Sequence, residues 1–267
     1  MTGPRQASIT LGQSPPLQRK NVTSPQQSKI VAITGAGSGI GEADAMLLAA
    51  RGDRVVLGDL QEDRLAAVAE RIEVAGGTVV HVQTDVRRRA DLDRLVALAV
   101  ERFGRLDVLI NNAGVMPVGP LDDLHVDAWD LMIDVNIKGV RYGIAAALTQ
   151  FRRQGHGHIV NMGSTAAHLT VANQAVYSGT KFAVRAITEG LRQEARDTIR
   201  VTLVSPGFVR TNFAERVTNT EVKARLEASR DRFAMQPEVV AKAIAFAIDQ
   251  PADVDVSEII MRATAQP

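Results

Sequence analysis

The 267-residue chain contains no cysteine, so neither a disulfide nor a thiolate can carry its structure or its chemistry. That suits a reducing compartment, and a cytoplasmic location is expected. No apolar run reaches the roughly 20 residues that a transmembrane helix needs. No sign of charge prevails: 31 basic and 30 acidic residues leave a net charge of +1. A nucleic-acid or polybasic membrane partner would require a clear basic excess, so neither is expected. The five histidines, His81, His125, His156, His158 and His168, form no metal-ligand pattern, and no metal is expected. The closest approach, His156-Gly-His158, reads as a solvated turn before a strand. Acidic residues are missing from the first 41 positions.

That acid-free stretch marks a boundary. Residues 1–28 are rich in Gln, Ser and Pro and hold too little apolar surface to offset the entropy of ordering, so they read as a disordered extension. They lack the apolar core of a secretory signal and the amphipathic periodicity of a transit peptide. From Lys29 the pattern becomes regular, and the chain, at 45% hydrophobic residues, can fill a sizeable core. Short apolar strands (KIVAIT, RVVLGD, TVVHVQ, DVLINNAG, HIVNMGS, RVTLVSPG, VSEIIM) alternate with helical stretches. Long helices are expected over 127–153 and 174–197, and a charged helix over 211–232. Such alternation predicts one α/β domain over 29–267: a doubly wound Rossmann-type sheet of about seven parallel strands with helices on both faces.

The first strand runs into Gly35-Ala-Gly-Ser38-Gly39-Ile40-Gly41, which opens a helix. A glycine-rich turn there lets backbone approach a pyrophosphate, and the helix start offers free N–H groups. Asp59, ending the second strand, can accept hydrogen bonds from adenosine ribose hydroxyls and would repel a 2′-phosphate. Leu60 follows it rather than an arginine, so NAD is favoured over NADP. Asp85, with Val86, falls near the adenine. Asn111-Asn112-Ala113-Gly114 ends strand four, where a dinucleotide would cross the switch point of the sheet.

Ser164 ends strand five, thirteen residues before Tyr177, and Lys181 lies one helical turn beyond. In open α/β sheets ligands bind outside the carboxyl ends of the strands, so all three point at one crevice. A free phenol ionises near pH ~10. A lysine one turn away would lower that value and ready Tyr177 for proton transfer.

Together, Thr34-Gly-x-x-x-Gly-Ile-Gly41, Asn111-Asn-Ala-Gly114, Ser164, Tyr177-x-x-x-Lys181 and Pro206-Gly207 resemble, in order and spacing, the short-chain dehydrogenase/reductase family. The resemblance runs from about Lys29 to the C-terminus. It implies hydride transfer between NAD(P) and an alcohol or carbonyl carbon. It implies a tetrad of Asn136, Ser164, Tyr177 and Lys181, with Asn136 distorting its helix and supporting a proton relay to Lys181. In this picture Ser164 and Tyr177 hold the substrate oxygen and Lys181 also binds the nicotinamide ribose. Pro206, Gly207, the Val209 backbone and the Thr211 hydroxyl close over the nicotinamide. Homotetramers or homodimers, built through the two long helices, are also implied.

The substrate walls are expected from Val115, Met116 and Pro117, from 165–176 with His168, Asn173 and Gln174 as polar options, and from 208–232. These are mostly apolar, which points to a secondary alcohol or ketone. Arg210, Arg216 and Arg225 are the cations that could meet an acidic substrate. The tail PADVDVSEIIMRATAQP resembles that of NADP-dependent dehydrogenases of serine and other 3-hydroxy acids, an alternative on substrate and cofactor. A reading of another class, a dinucleotide-sensing regulator without turnover, is disfavoured because all four tetrad residues are kept. An epimerase or dehydratase would be longer, with a separate substrate domain.

Overall fold

The computed structural model of the protein describes residues 28–266. Apart from Ser28, the expected N-terminal extension lies outside the described residues. Seven strands form one sheet: β1 Ile30–Thr34, β2 Arg54–Asp59, β3 Thr78–Gln83, β4 Val108–Asn111, β5 Gly157–Met162, β6 Ile199–Pro206 and β7 Glu258–Met261. Their order is β3-β2-β1-β4-β5-β6-β7, and every neighbouring pair is parallel. This is the expected doubly wound topology.

Alternation along each strand builds two cores. Val31 and Ile33 join α1 (Gly39–Ala50), α2 (Glu62–Val74) and α8 (Pro237–Asp249) on one face. Ile30 and Ala32 join α3 (Arg89–Phe103), α5 (Gly139–Gln154) and α6 (Ala175–Glu194) on the other. Because both faces are covered, β1 is buried at every residue, which is why it reads as an unbroken apolar run. Among the described residues no helix is long and apolar enough to cross a membrane.

The helix over 127–153 is distorted around Asn136, as expected: α4 (Val126–Met132) passes through a π-helical turn, Ile133–Lys138, before α5 begins. Two expectations need correction. The charged segment after strand six is not one helix but a 3-10 turn, Asn212–Arg216, followed by α7, Thr220–Phe233. Asn219 starts α7 by accepting the Val222 N–H through its side chain at 3.1 Å, so the break is capped rather than frayed. His158 is not in a solvated turn. It lies within β5, 1% exposed, with Nε2 2.8 Å from Thr202 Oγ1, and burial pushes its pKa well below the usual histidine value.

Asp44 in α1 is fully buried, and neither carboxylate oxygen has a hydrogen-bond partner among the described residues. Burial holds its pKa well above the ordinary carboxylate value, so the folded protein keeps it protonated where the unfolded chain has lost the proton. Folding therefore takes up a proton, and stability falls as pH rises from about 4 toward the folded pKa. Asp44→Ala should raise Tm by roughly 5 °C at pH 8 and by less at pH 5, given about 2–4 °C per kcal/mol for a domain of this size. Thermal melts of both proteins across pH check this; a variant that melts lower at pH 8 sinks it.

Candidate active site

β1 and β4 are neighbours, and their crossovers leave to opposite faces, so a crevice opens at their carboxyl ends. A cavity of about 690 Å3 occupies it, within the range of small-molecule sites.

At one end lies the glycine turn. Gly35 has φ +67°, a left-handed conformation that disfavours side chains. Thr34 Oγ1 accepts the Asn112 and Ala113 N–H groups at 3.1 and 3.2 Å, and Asn112 Nδ2 donates to the Thr34 and Gly35 carbonyls at 3.0 Å. No local sequence pattern marks these tethers from the end of β4, which fix the turn. Gly35, Ser38, Gly39 and Ile40 face the cavity, and so do Asn112, Ala113 and Gly114. Gly41 does not: it packs beneath the turn, where an added Cβ would lie 2.2 Å from Gly35 O. Ser38 precedes α1 without a side-chain capping bond, so the helix's first N–H groups are open to an anion. A cradle that excludes side chains and presents a free helix start fits the pyrophosphate of a dinucleotide.

Asp59 and Leu60 stand at the next stretch of wall, then Asp85 and Val86. Asp59 accepts the Gly37 N–H through Oδ2 and the Gln61 N–H through Oδ1, each at 2.9 Å, so it both steadies the turn and leads into α2. Two arginines that the sequence reading passed over share this wall. Arg87 forks onto Asp85 with its closest contact at 2.7 Å, which holds that carboxyl below its usual range. Arg64 projects from α2 beside Gly37 and has no ion pair among the described residues.

The other end holds the expected reacting groups. Ser164, Tyr177 and Lys181 all line the cavity. Ser164 starts a short 3-10 turn, Thr165–Ala167, and its hydroxyl accepts the Ala166 N–H at 3.1 Å. Tyr177 is 6% exposed, its ring edge-on to Phe213 at 6.2 Å. Burial pushes the phenol up to about 12, while the Ser164 hydroxyl pulls the other way. Lys181 is not among the groups that lower it. Its ammonium turns to the Met162 carbonyl at 2.8 Å, and its own burial brings it down to about 8. The expected lysine effect on Tyr177 is thus overridden here by desolvation of the phenol.

Asn136 sits inside the π turn and behind the cavity wall. Its Oδ1 accepts the Val115 N–H at 2.9 Å, and its Nδ2 donates to Val115 O at 3.0 Å and Thr180 Oγ1 at 3.1 Å. Thr180 Oγ1 donates in turn to Tyr177 O at 2.7 Å. Asn136 therefore ties the loop after β4 to the helix that carries Tyr177 and does not itself line the cavity.

Pro206, Gly207, Val209 and Thr211 close this end. Val115, Met116, Phe208 and Phe213 supply apolar wall, whereas Pro117 stands outside it. Gln174 faces in. Asn173 does not, and His168 turns away to Ser205 and Glu258. Helix α7 presents Leu226, Ser229, Arg230 and Phe233, an i, i+3, i+4, i+7 stripe legible in principle from spacing alone. Neither Arg210 nor Arg225 lines the cavity: the first lies 3.9 Å from Asp231, the second pairs with Glu221 at 2.7 Å. Nothing is described of the Arg216 side chain. Arg262 and Gln266, beyond β7, do line it, and Gln266 Oε1 accepts the Phe208 N–H at 3.0 Å; no local pattern marks Gln266 for this. No cluster of three or more His, Cys, Asp or Glu side chains able to hold a metal occurs among the described residues.

With this geometry in place, the chain belongs to the short-chain dehydrogenases: the family's model matches residues 29–222. It is accordingly an oxidoreductase of Rossmann fold. An uncharacterized oxidoreductase of Staphylococcus saprophyticus is 44% identical over 243 residues, covering 90% of this chain and 98% of that one. A serine dehydrogenase in closed form, complexed with NADP+, is 31% identical with a TM-score of 0.83, over 89% of this chain and 96% of that one. A short-chain dehydrogenase/reductase of Burkholderia phymatum, in complex with NAD, is 30% identical with a TM-score of 0.79, over 87% and 88%.

Proposed function

We propose that the protein interconverts a secondary alcohol and its ketone, with NAD preferred over NADP. The observation that carries this reading is the convergence of Ser164, Tyr177 and Lys181 on one end of a crevice whose other end is a glycine cradle. A bound nicotinamide dinucleotide supplies the hydride acceptor or donor. Tyr177 gives its phenolic proton to the carbonyl oxygen in reduction and takes it back in oxidation. Ser164 holds that oxygen in line with the phenol. Lys181 would bind the nicotinamide ribose, while the Val209 backbone and Thr211 hydroxyl would hold the amide. Asn136 steadies the helix beneath Tyr177 and supports proton supply toward Lys181.

The Asp59 carboxylate supports the choice of NAD, because it would face the 2′ position and repel a phosphate there. Arg64 on the same wall opposes it. The test is a separate titration of NADH and NADPH on the wild-type protein and on Asp59→Ala. Wild type should favour NADH, and Asp59→Ala should narrow the ratio at least tenfold, or about 1.4 kcal/mol. An unchanged ratio removes Asp59 from the ribose, and a wild-type preference for NADPH overturns the choice of NAD.

The apolar walls from Met116, Phe208 and Phe213 favour an apolar substrate. A second reading, an NADP-dependent 3-hydroxy acid dehydrogenase, is favoured by Arg230 and Arg262 on the wall and by the likeness to a serine dehydrogenase. We further propose a cytoplasmic homotetramer assembled through α5 and α6, where Phe182 is 41% exposed.

A further inference from the structure

The stretch from Ser164 to Tyr177 leaves the sheet and returns as a helix. Its middle is poorly held: Leu169 and Val171 are each 47% exposed, and Asn173 has φ +69°. The 3-10 turn after Ser164 is closed locally by the Ala167 N–H to Ser164 O and the His168 N–H to Thr165 O, at 2.8 and 3.1 Å. Among the described residues, only the His168 side chain hydrogen-bonds residues 165–173 to the sheet. Its Nε2 lies 3.2 Å from Ser205 Oγ on β6 and 3.3 Å from Glu258 Oε1 on β7. Glu258 Oε1 has no hydrogen-bond partner among the described residues, so the carboxylate acts on the ring through its charge, which favours a proton on Nε2.

The same Glu258 oxygen lies 3.4 Å from Arg185 Nε. Arg185 is one turn beyond Lys181 on α6. One carboxylate on the last strand thus meets both arms of the reacting group: the segment that carries Ser164, through His168, and the helix that carries Tyr177 and Lys181, through Arg185. The His168 side chain is 14% exposed and Ser205 is fully buried, so the contact is shielded from competing water.

We propose that His168 and Glu258 are positioning residues, a brace from β6 and β7 that sets the placement of Ser164 relative to Tyr177. This rests on the reading of Ser164 and Tyr177 as the groups that handle the substrate oxygen. The brace works with a neutral imidazole. Burial is the chief influence keeping His168 below the ordinary histidine pKa; Glu258 raises it, and Arg185 and Arg262 lower it. These are the charged groups that face the ring from α6, from β7 and from the segment after β7. A histidine with a lowered folded pKa contributes fully above its unfolded value and is lost as pH falls through the folded value. The acid limb of kcat should therefore lie below about pH 6.5.

The experiment uses the full-length protein with NADH and a ketone found by screening. His168→Ala should lower kcat at least tenfold with the NADH Kd within twofold. His168→Gln, whose amide N–H can reach the same oxygens, should recover to within threefold of wild type and lose the acid limb. Glu258→Gln removes a charge that favours protonation, so its acid limb should move to lower pH. A wild-type kcat and pH profile in His168→Ala overturns the brace, as does a parallel loss of NADH binding in both His168 variants. Amide exchange at Ala166 and Ala167 reads the brace without any substrate. It should quicken at least tenfold in His168→Ala, and unchanged exchange overturns the brace even if no ketone is turned over. Absence of turnover in wild type counts instead against the oxidoreductase reading of Ser164 and Tyr177.

Discussion

Tyr177→Phe should reduce kcat by about 10³-fold or more, within the range for loss of a positioned acid–base group. The NADH Kd should stay within about twofold. The asymmetry follows from what the substitution removes. The ring, edge-on to Phe213 at 6.2 Å, is kept, and only the hydroxyl beside Ser164 is lost. Since burial holds the phenol near 12, it is protonated throughout the neutral range. Ketone reduction, which needs the proton, should be level through neutrality. Alcohol oxidation, which needs the phenolate, should climb with pH. Steady-state rates in both directions check this, together with fluorescence titration of NADH. A Tyr177→Phe protein that keeps more than a tenth of the wild-type kcat removes Tyr177 from its role.

Gly41→Ala is the second large effect, and it acts from beneath the site. The added Cβ would lie 2.2 Å from Gly35 O and 2.5 Å from Asn112 Nδ2, so backbone must move. Gly35 cannot easily yield, because its left-handed conformation is tied to β4 through Asn112 and Thr34. Overpacking of this kind costs roughly 1–3 kcal/mol, or about 2–12 °C in Tm. NADH affinity should fall at least 100-fold, since the displaced turn is the cradle itself. Gly190→Ala is the control: Gly190 lies within α6 with nothing within 4 Å of an added Cβ, and alanine there should leave binding unchanged and raise Tm slightly. Equal NADH affinity in Gly41→Ala and wild type would show that the turn does not carry the dinucleotide.

What could be read from the sequence was what repeats locally. Apolar runs such as KIVAIT and RVVLGD gave away buried parallel strands, because both faces of each are covered. The glycine turn was legible because its spacing and its place between strand and helix are contiguous in the chain. Asn136 was found only through family likeness, and its bonds to Val115 and Thr180 depend on three separate elements meeting. His158 was misread because a glycine before it looks like a turn, whereas β5 already begins at that glycine. His168 and Glu258 are 90 residues apart and share no pattern; only the pairing of β7 on β6 brings them together. The orphan carboxyl of Asp44 was invisible for a related reason: in a helix of alanines and leucines it resembles any solvated acidic residue until tertiary packing buries that helix.

The crevice draws its two ends from successive parts of the chain. The lining residues from Gly35 to Gly114 form the cradle end, while Ser164, Tyr177, Lys181, α7 and the residues beyond β7 all come later, up to Gln266. Substitutions accumulating on α7 can thus change which molecules are admitted without disturbing how the shared coenzyme is gripped.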